Sequence, residues 1–249
     1  MIFPVGDDQV KGGSFPLFSY AFLGLNIMVW IYQASLGLNT QEGVQFVYEY
    51  GGIPVEITNG KDIYTLLTNM FLHGGWMHLI GNMMFLFVFA DNIEAVIGNV
   101  KFVLFYLFGG IAASLAHAYV NPSSLIPAVG ASGAISAILG AYLVMFPKSR
   151  IKMLVIYFFR TFRIPAIAFL GFWILQQFIA GFSAMGAETA NTGGTAWWAH
   201  IGGFLFGAVM GILMRKRYGD IALSIAENTS IGSNRNQGPT PSGRYPQYL

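Results

Sequence analysis

A serine and a histidine within apolar segments are the residues of this chain best suited to chemistry. Ser132 stands in the run Gly130-Ala131-Ser132-Gly133 at the start of one apolar segment, and His200 lies near the start of another. A serine hydroxyl is a weak nucleophile until a neighbouring base takes its proton, and neutral imidazole is the usual base. Because neither segment carries an Asp or Glu at that depth, the pair would act as a Ser–His dyad.

Two further polar residues in a third apolar segment could stabilise an oxyanion. His78 and Asn82 are four positions apart, which places both on one face of a helix. An imidazole N–H, an amide N–H and the backbone N–H of Ser132 are suitable donors to the oxyanion of an acyl-transfer reaction. A structural pair that holds the preceding loop to this segment explains His78 and Asn82 equally well.

A metal site formed by His73, His78 and His200 is a weaker alternative. No carboxylate or cysteine stands near them in the sequence, and the HExxH pattern is absent. The chain has no cysteine, which excludes disulfides and thiol chemistry. We therefore predict no metal and no cofactor, and we interpret His73 as a structural residue that anchors the loop.

The composition indicates a membrane protein. Hydrophobic residues make up 55% of the 249 residues and charged residues only 10%, whereas a soluble domain has about 25% charged residues. Six apolar runs approach the roughly 20 residues that cross a bilayer: 17–36, 77–97, 102–120, 131–146, 164–182 and 196–214. We predict an all-α fold, a polytopic bundle of six transmembrane helices.

The domain organisation follows from these runs. A short N-terminus, 1–16, precedes one membrane domain, 17–217, and a flexible tail, 218–249, follows it. The long loop 37–76 contains hydrophobic patches and is expected to hold folded structure. The apolar segment 153–159 is too short to cross a membrane and is predicted to be an interfacial loop.

The basic residues predict the orientation. With six spans both termini lie on one side, and of the thirteen Lys and Arg residues only Lys61 falls on the other side. The positive-inside rule then makes both termini cytoplasmic. Ser132, His200, His78 and Asn82 consequently lie near the outer ends of three spans, at similar depth. Polar groups at such depth are costly and tend to be functional.

Packing offers a competing explanation of the Ser132 motif. Small residues fill the fourth span, and Gly203, Gly207 and Gly211 recur at every fourth position of the sixth. This spacing indicates that two backbones approach closely in the membrane. For the motif around Ser132 taken alone, a packing role is the better explanation, so the catalytic interpretation depends on the other residues.

Three motifs together resemble those of the rhomboid intramembrane serine proteases. The run Phe71-Leu72-His73-Gly74-Gly75-Trp76-Met77-His78-Leu79-Ile80-Gly81-Asn82-Met83 resembles the second-span motif of that family. The run 130–133 resembles its nucleophile motif, and Ala199-His200-Ile201-Gly202-Gly203 resembles its sixth-span histidine motif. Glu94 followed by Gly98 also matches, and the resemblance covers 17–217 with all six spans in order.

The resemblance implies a role for each matching residue. Ser132 would be the nucleophile and His200 the general base, while His78, Asn82 and the Ser132 backbone N–H would stabilise the oxyanion. The remaining matches would be structural residues of the site: Gly130, Gly133, Gly203 and Glu94.

The resemblance also implies partners and a location. The family cleaves transmembrane segments of other membrane proteins near their outer ends, without a metal or cofactor. The implied partners are transmembrane protein substrates and membrane lipids, not nucleic acid, and the implied location is a bacterial-type inner membrane.

The chain departs from some relatives close to the histidine. Those relatives carry an aromatic residue one turn below the nucleophile, which stacks on the catalytic histidine. Ser136 occupies that position here, so another group must orient His200. The family places substrate access beside the fifth span, where Phe172 and Trp173 are candidate gate residues.

Two other functions remain open at this stage. A catalytically silent rhomboid-like scaffold would bind transmembrane helices, but such relatives typically lose the serine or the histidine that this chain keeps. A channel or small transporter would carry polar residues through the midplane of several spans. Here the polar groups gather near the outer ends of spans two, four and six instead.

Overall fold

Helices make up most of the fold. The computed structural model describes residues 2–8, 14–185 and 195–231, so the predicted loop residues 186–194 and the tail residues 232–249 lie outside the described residues. The helices, in chain order, are α1 (Leu17–Ser35), α2 (Gln41–Tyr50), α3 (Pro54–Thr58), α4 (Thr65–Thr68), α5 (Trp76–Ile97), α6 (Asn99–Val120), α7 (Ser132–Met145), α8 (Ala166–Met185) and α9 (Trp197–Ile231).

Five of these helices are long and apolar enough to cross a membrane: α1, α5, α6, α8 and the first 22 residues of α9. The predicted fourth span is α7, which has only 14 residues and is therefore about 21 Å long. Nearly every α7 side chain after Ser132 is buried, so protein rather than lipid surrounds this helix. The predicted count of six transmembrane helices is therefore not confirmed, because only five helices in the described part of the chain have the length of a membrane span.

The predicted close contact between the fourth and sixth spans is confirmed. A Cβ added to Gly207 would overlap the carbonyl group of Ala137, and one added to Gly203 would overlap the carbonyl oxygen of Gly133. On the opposite side, a Cβ on Gly133 would lie 2.6 Å from the Cβ of Ala113 in α6. Only glycine permits this approach of α7 and α9, which brings the starts of the two helices together.

Helix α9 continues past the predicted end of the membrane domain. Helix α9 runs without interruption to Ile231, so it continues well past residue 217. The first part of the segment predicted to be a flexible tail is therefore helical. Apolar residues mark only the part of the helix that can lie in a membrane, and a helix can continue on polar residues beyond it.

A small sheet that was not predicted accompanies the helices. Strands β1 (Ile2–Gly6), β2 (Arg150–Val155) and β3 (Arg160–Pro165) form an antiparallel sheet in the order β1-β2-β3. The loop predicted at 153–159 is shorter in the structure, because 153–155 form the end of β2 and only a 3₁₀ turn, Ile156–Phe158, and Phe159 connect it to β3. Its interfacial position stays a prediction. Ile151 and Met153 are buried whereas Lys152 between them is exposed. This period of two is typical of a strand, and a search for long apolar runs does not detect it.

Glu94 anchors helix α1 and does not lie beside Ser132. Its fully buried carboxylate accepts hydrogen bonds from the backbone N–H groups of Phe18 and Ser19 (2.9 and 2.7 Å) and from the Ser19 hydroxyl (2.7 Å). It thereby satisfies N–H groups at the start of α1 that have no intrahelical acceptor. Glu94 is twelve residues beyond Asn82 in α5, a distance of about 18 Å along the helix. Glu94 therefore has a structural role, as a hydrogen-bonding anchor near the far end of α5 from Asn82.

Asp7 and Asp8 attach strand β1 to the helices and to the rest of the sheet. The Asp7 carboxylate accepts hydrogen bonds from the Tyr142 hydroxyl and from the Asn92 amide, the latter at 2.9 Å. Asp8 forms an ion pair with Arg163 of β3 at 3.3 Å. The N-terminal strand is thus attached to α5, α7 and the hairpin.

We expect the docking of β1 to weaken as the pH rises. Burial raises the pKa of the Asp7 carboxyl from 3.8 to about 7, and the nearby Asp91 contributes in the same direction. The stabilisation from the protonated carboxyl is complete below the pKa of the unfolded chain and is lost as the pH rises through the folded-state value. Hydrogen exchange of the β1 amides, corrected for the intrinsic effect of pH, should show more protection at pH 5 than at pH 8.

The control for this prediction is Asp7→Asn, in which the side chain cannot ionise. The protection of β1 in this variant should be nearly equal at the two pH values. If the protection of β1 changed between pH 5 and pH 8 by the same amount in the variant and in the wild type, another group would be responsible.

Candidate active site

Ser132 and His200 lie within hydrogen-bond distance. Ser132 is the first residue of α7, and His200 lies in the first turn of α9. The Ser132 Oγ is 2.8 Å from the His200 Nε2. The imidazole is buried, with 9% of the residue exposed, and Ser132 is half-buried. The α7–α9 contact described above therefore joins a hydroxyl to a ring nitrogen that can accept its proton.

Helix α8 and the first residue of α9 supply the other contacts of His200. The His200 Nδ1 is 2.7 Å from the Oε1 of Gln177, and the ring of Trp173 lies 5.8 Å from the imidazole, centroid to centroid. The ring of Trp197 approaches edge-on at 6.3 Å. Ser136 makes a different bond, since its hydroxyl donates to the carbonyl of Ser132 (2.6 Å).

Gln177 was missed by the sequence reasoning. The signal was available, because an amide within the apolar run 164–182 is costly unless it has a partner. Of the two candidate gate residues, Phe172 is 62% exposed, whereas Trp173 packs on His200 and Phe204.

The loop between α1 and α5 positions the residues that precede Ser132. This loop is folded, as predicted, and Gly52 pairs with Ala128 through two backbone hydrogen bonds of 2.9 Å. The N–H of Gly130 donates to the carbonyl of Asn69 (2.9 Å). Gly130 has a φ of +130°, a conformation that favours glycine. The loop therefore fixes the turn that leads into α7.

His78 and Asn82 lie against this turn. A Cβ on Gly130 would be 2.8 Å from the His78 Nε2 and 3.5 Å from the Asn82 Nδ2, so a side chain there would displace the His78 ring and contact Asn82. The N–H of Gly74 donates to the His78 Nδ1 (3.2 Å), which leaves the proton on Nε2. The Asn82 Nδ2 is buried and has no hydrogen-bond partner among the described residues.

The backbone N–H of Ser132 is a third donor at the same place. It belongs to the first residue of α7, and the first N–H groups of a helix have no intrahelical acceptor. The positive end of the helix dipole also favours negative charge there. Two side-chain donors and one backbone donor thus surround the turn 130–132.

His73 makes structural contacts through its backbone. Gln33 accepts from the His73 N–H (3.0 Å) and donates to the His73 carbonyl (2.7 Å). Burial lowers the pKa of His73 to about 4, which keeps the ring neutral. Within the described parts of the chain, no three His, Cys, Asp or Glu side chains lie close enough together to hold a metal ion.

A cavity of about 20 Å³ adjoins Ser132. Asn69, Ser114 and His117 contribute polar side chains to its wall, and Gly130, Ser132 and Gly133 form the side nearest the dyad. A cavity of this volume with polar groups in its wall can hold a water molecule. The site therefore combines a hydroxyl, a base, unpaired donors and space for water.

Comparisons with known proteins identify the family. A family model described as the Rhomboid domain matches residues 60–217, more than half of the chain. Rhomboid protease GluP of Bacillus subtilis (strain 168) is 30% identical over 210 residues, which cover 84% of this chain and 38% of that protein. Rhomboid protein 1, mitochondrial, of Saccharomyces cerevisiae (strain ATCC 204508 / S288c) is 26% identical over 202 residues, 79% of this chain and 53% of the relative.

A plant relative shares a shorter region. Rhomboid-like protein 11, chloroplastic, of Arabidopsis thaliana is 33% identical over 116 residues, 44% of this chain and 39% of that protein. The chain thus spans between 38% and 53% of the length of these three relatives. The family model and the helical membrane fold place it without ambiguity: the chain belongs to the rhomboid family.

Proposed function

We propose that this chain is an intramembrane serine protease that uses Ser132 and His200 as a catalytic dyad. The observation that carries the proposal is the 2.8 Å contact between the Ser132 Oγ and the His200 Nε2. Membership of the rhomboid family supports it, as does the buried, unpaired amide N–H of Asn82 beside the same turn. A scaffold that only binds helices has no need of such a donor.

The geometry supports acylation of Ser132. The Ser132 Oγ attacks the carbonyl carbon of the scissile peptide while the His200 Nε2 takes the hydroxyl proton. The oxyanion that forms accepts hydrogen bonds from the Asn82 Nδ2, the His78 Nε2 and the Ser132 N–H. The imidazolium then gives its proton to the leaving amine, and the C–N bond breaks.

Deacylation needs water, which the cavity beside Ser132 can store. His200 takes a proton from this water as the water oxygen attacks the ester carbonyl. The same donors stabilise the second oxyanion, and the proton returns to the Ser132 Oγ as the C–O bond breaks. The carboxylic acid product leaves, and the dyad is restored.

The proposal includes a topology. α7 serves as the short fourth of six transmembrane segments, and both termini are cytoplasmic, as the positions of the basic residues favour. Ser132 then lies near the outer surface, so the enzyme cuts transmembrane substrates near their outer ends. Substrates approach beside α8, and the protein resides among the lipids of a bacterial-type inner membrane.

The test compares wild-type protein with Ser132→Ala in liposomes that contain a model transmembrane substrate. Wild type should cleave the substrate and react with a labelled fluorophosphonate, whereas Ser132→Ala should do neither. Ser183→Ala is the matched control, because this exposed serine of α8 bonds only to its own helix among the described residues. Equal cleavage by wild type and Ser132→Ala would refute the proposal.

A further inference from the structure

We propose that Gln177 is a positioning residue that holds His200 in the tautomer able to accept the Ser132 proton. The inference rests on the proposed function and adds a third member to the dyad. The three residues form one buried chain of contacts, from the Ser132 Oγ to His200 (2.8 Å) and from His200 to the Gln177 Oε1 (2.7 Å). Gln177 is itself 94% buried, with 6% exposed.

A second hydrogen bond fixes the orientation of the Gln177 amide. The Gln177 Nε2 donates to the backbone carbonyl of Trp173 at 3.3 Å. A carbonyl oxygen accepts but never donates, so the nitrogen of the amide must face Trp173 and the oxygen must face His200. The oxygen likewise accepts but does not donate. The proton of the neutral imidazole therefore lies on Nδ1.

The position of this proton determines whether the His200 Nε2 can accept a proton from Ser132. With the proton on Nδ1, the His200 Nε2 presents a lone pair to the Ser132 Oγ, which donates its hydrogen bond along the path of proton transfer. The other tautomer would point an N–H at the hydroxyl and could not accept its proton. The amide of Gln177 thus removes the unproductive tautomer from the resting enzyme.

A neutral amide suits this location. A carboxylate in the same place would be an ionised group inside the membrane, which is costly without a partner. The amide accepts the same hydrogen bond and adds no charge. It also leaves the developing imidazolium with a hydrogen-bond acceptor at Nδ1 during the reaction.

One turn of α8 makes both contacts that orient the imidazole. Trp173 stands four residues before Gln177, its ring packs against His200, and its carbonyl receives the Gln177 amide. Some relatives carry an aromatic residue at the position of Ser136, and that residue orients the histidine. The contacts of Trp173 and Gln177 can take over this role. In this chain the group that orients the histidine comes from α8 rather than from α7.

The kinetic test replaces Gln177 with leucine and compares it with Gln176→Leu, the adjacent glutamine on the exposed side of the same helix. Gln177→Leu should lower kcat about 10- to 100-fold with little change in KM, as loss of a group that orients a histidine ligand does in metal sites. Gln176→Leu should retain wild-type kcat. Gln177→Glu should recover most of the loss, because a carboxyl oxygen accepts from Nδ1 whether or not it is ionised.

A wild-type kcat in folded Gln177→Leu would overturn the proposal. The proposal would also be overturned if kcat fell as far in folded Gln177→Glu as in Gln177→Leu. Thermal unfolding midpoints establish which variants are folded. Gln177→Met has nearly the same length and only a weak acceptor, so it repeats the test if leucine prevents folding.

The tautomer can be measured without turnover. In protein labelled with ¹⁵N-histidine, the ring nitrogens of His200 should report one tautomer, with the proton on Nδ1, in wild type and a mixture in Gln177→Leu. An unchanged single tautomer in the leucine variant overturns the positioning role whatever the activity. A change of tautomer together with an inactive wild type would instead refute the proposed function and leave the positioning role supported.

Discussion

Replacing His200 with alanine is expected to abolish cleavage of a transmembrane substrate, with a loss in kcat of about 10⁴-fold or more. The reason is that the Ser132 hydroxyl contacts one ring nitrogen at 2.8 Å and is a weak nucleophile without it. Fluorophosphonate labelling of Ser132 should fall in parallel, because it depends on the same activation. Both rates can be measured on one reconstituted sample.

The combination of His200→Ala with Ser132→Ala sharpens this prediction. Members of one catalytic unit are strongly non-additive, so the double variant should be about as inactive as either single variant. If the fold-loss in kcat of the double variant equalled the product of the two single losses, the two residues would act independently. Full activity in folded His200→Ala would exclude His200 as the base.

The residues that build the helix contact were predictable because their signals are local. Gly203, Gly207 and Gly211 recur every fourth residue, and this period alone indicates a face that admits a second backbone. The structure shows overlap at Gly203 and Gly207 for any added Cβ. Since Ser132 and His200 lie at the starts of the two helices joined by this face, their proximity follows from the same pattern.

Contacts between distant segments were not predictable in the same way. The role of Glu94 depends on which helix start lies against it, and the N–H groups it binds are 75 and 76 residues away in sequence. Gln177 meets His200 only because α8 packs on α9 with a particular rotation. A polar residue in an apolar run indicates that a partner exists, but the sequence does not name the partner.

The sheet was missed, and the surroundings of the short fourth helix were not foreseen, for a different reason. Length and hydropathy identify segments that could cross a membrane, and 131–146 is counted among them although it is the shortest of the six. Length and hydropathy do not distinguish a helix that faces lipid from one that is surrounded by other helices. Helix α7 is of the second kind. These two criteria also ignore alternation over six residues, which is the signal that β2 carries.

Replacing Asn82 with alanine should lower kcat about 10²- to 10³-fold while KM stays near its wild-type value. The Asn82 Nδ2 is buried beside Gly130 and has no hydrogen-bond partner among the described residues, so its donor is available for the oxyanion. Loss of one such donor raises the barrier by about 2.7–4 kcal/mol. A slow residual rate should remain, because the His78 Nε2 and the Ser132 N–H still donate.

The same variant separates the two interpretations of the His78–Asn82 pair. If Asn82 were a tether between the loop and α5, its removal would lower the unfolding midpoint and affect kcat only through loss of folded protein. An amide N–H that makes no bond within the described chain stabilises the fold little, so a catalytic donor predicts a nearly unchanged midpoint and a selective loss of kcat. His78→Ala combined with Asn82→Ala should then remove more than either change alone, since one backbone donor would remain for the oxyanion. A fall in stability with unchanged turnover per folded molecule would assign the pair to structure.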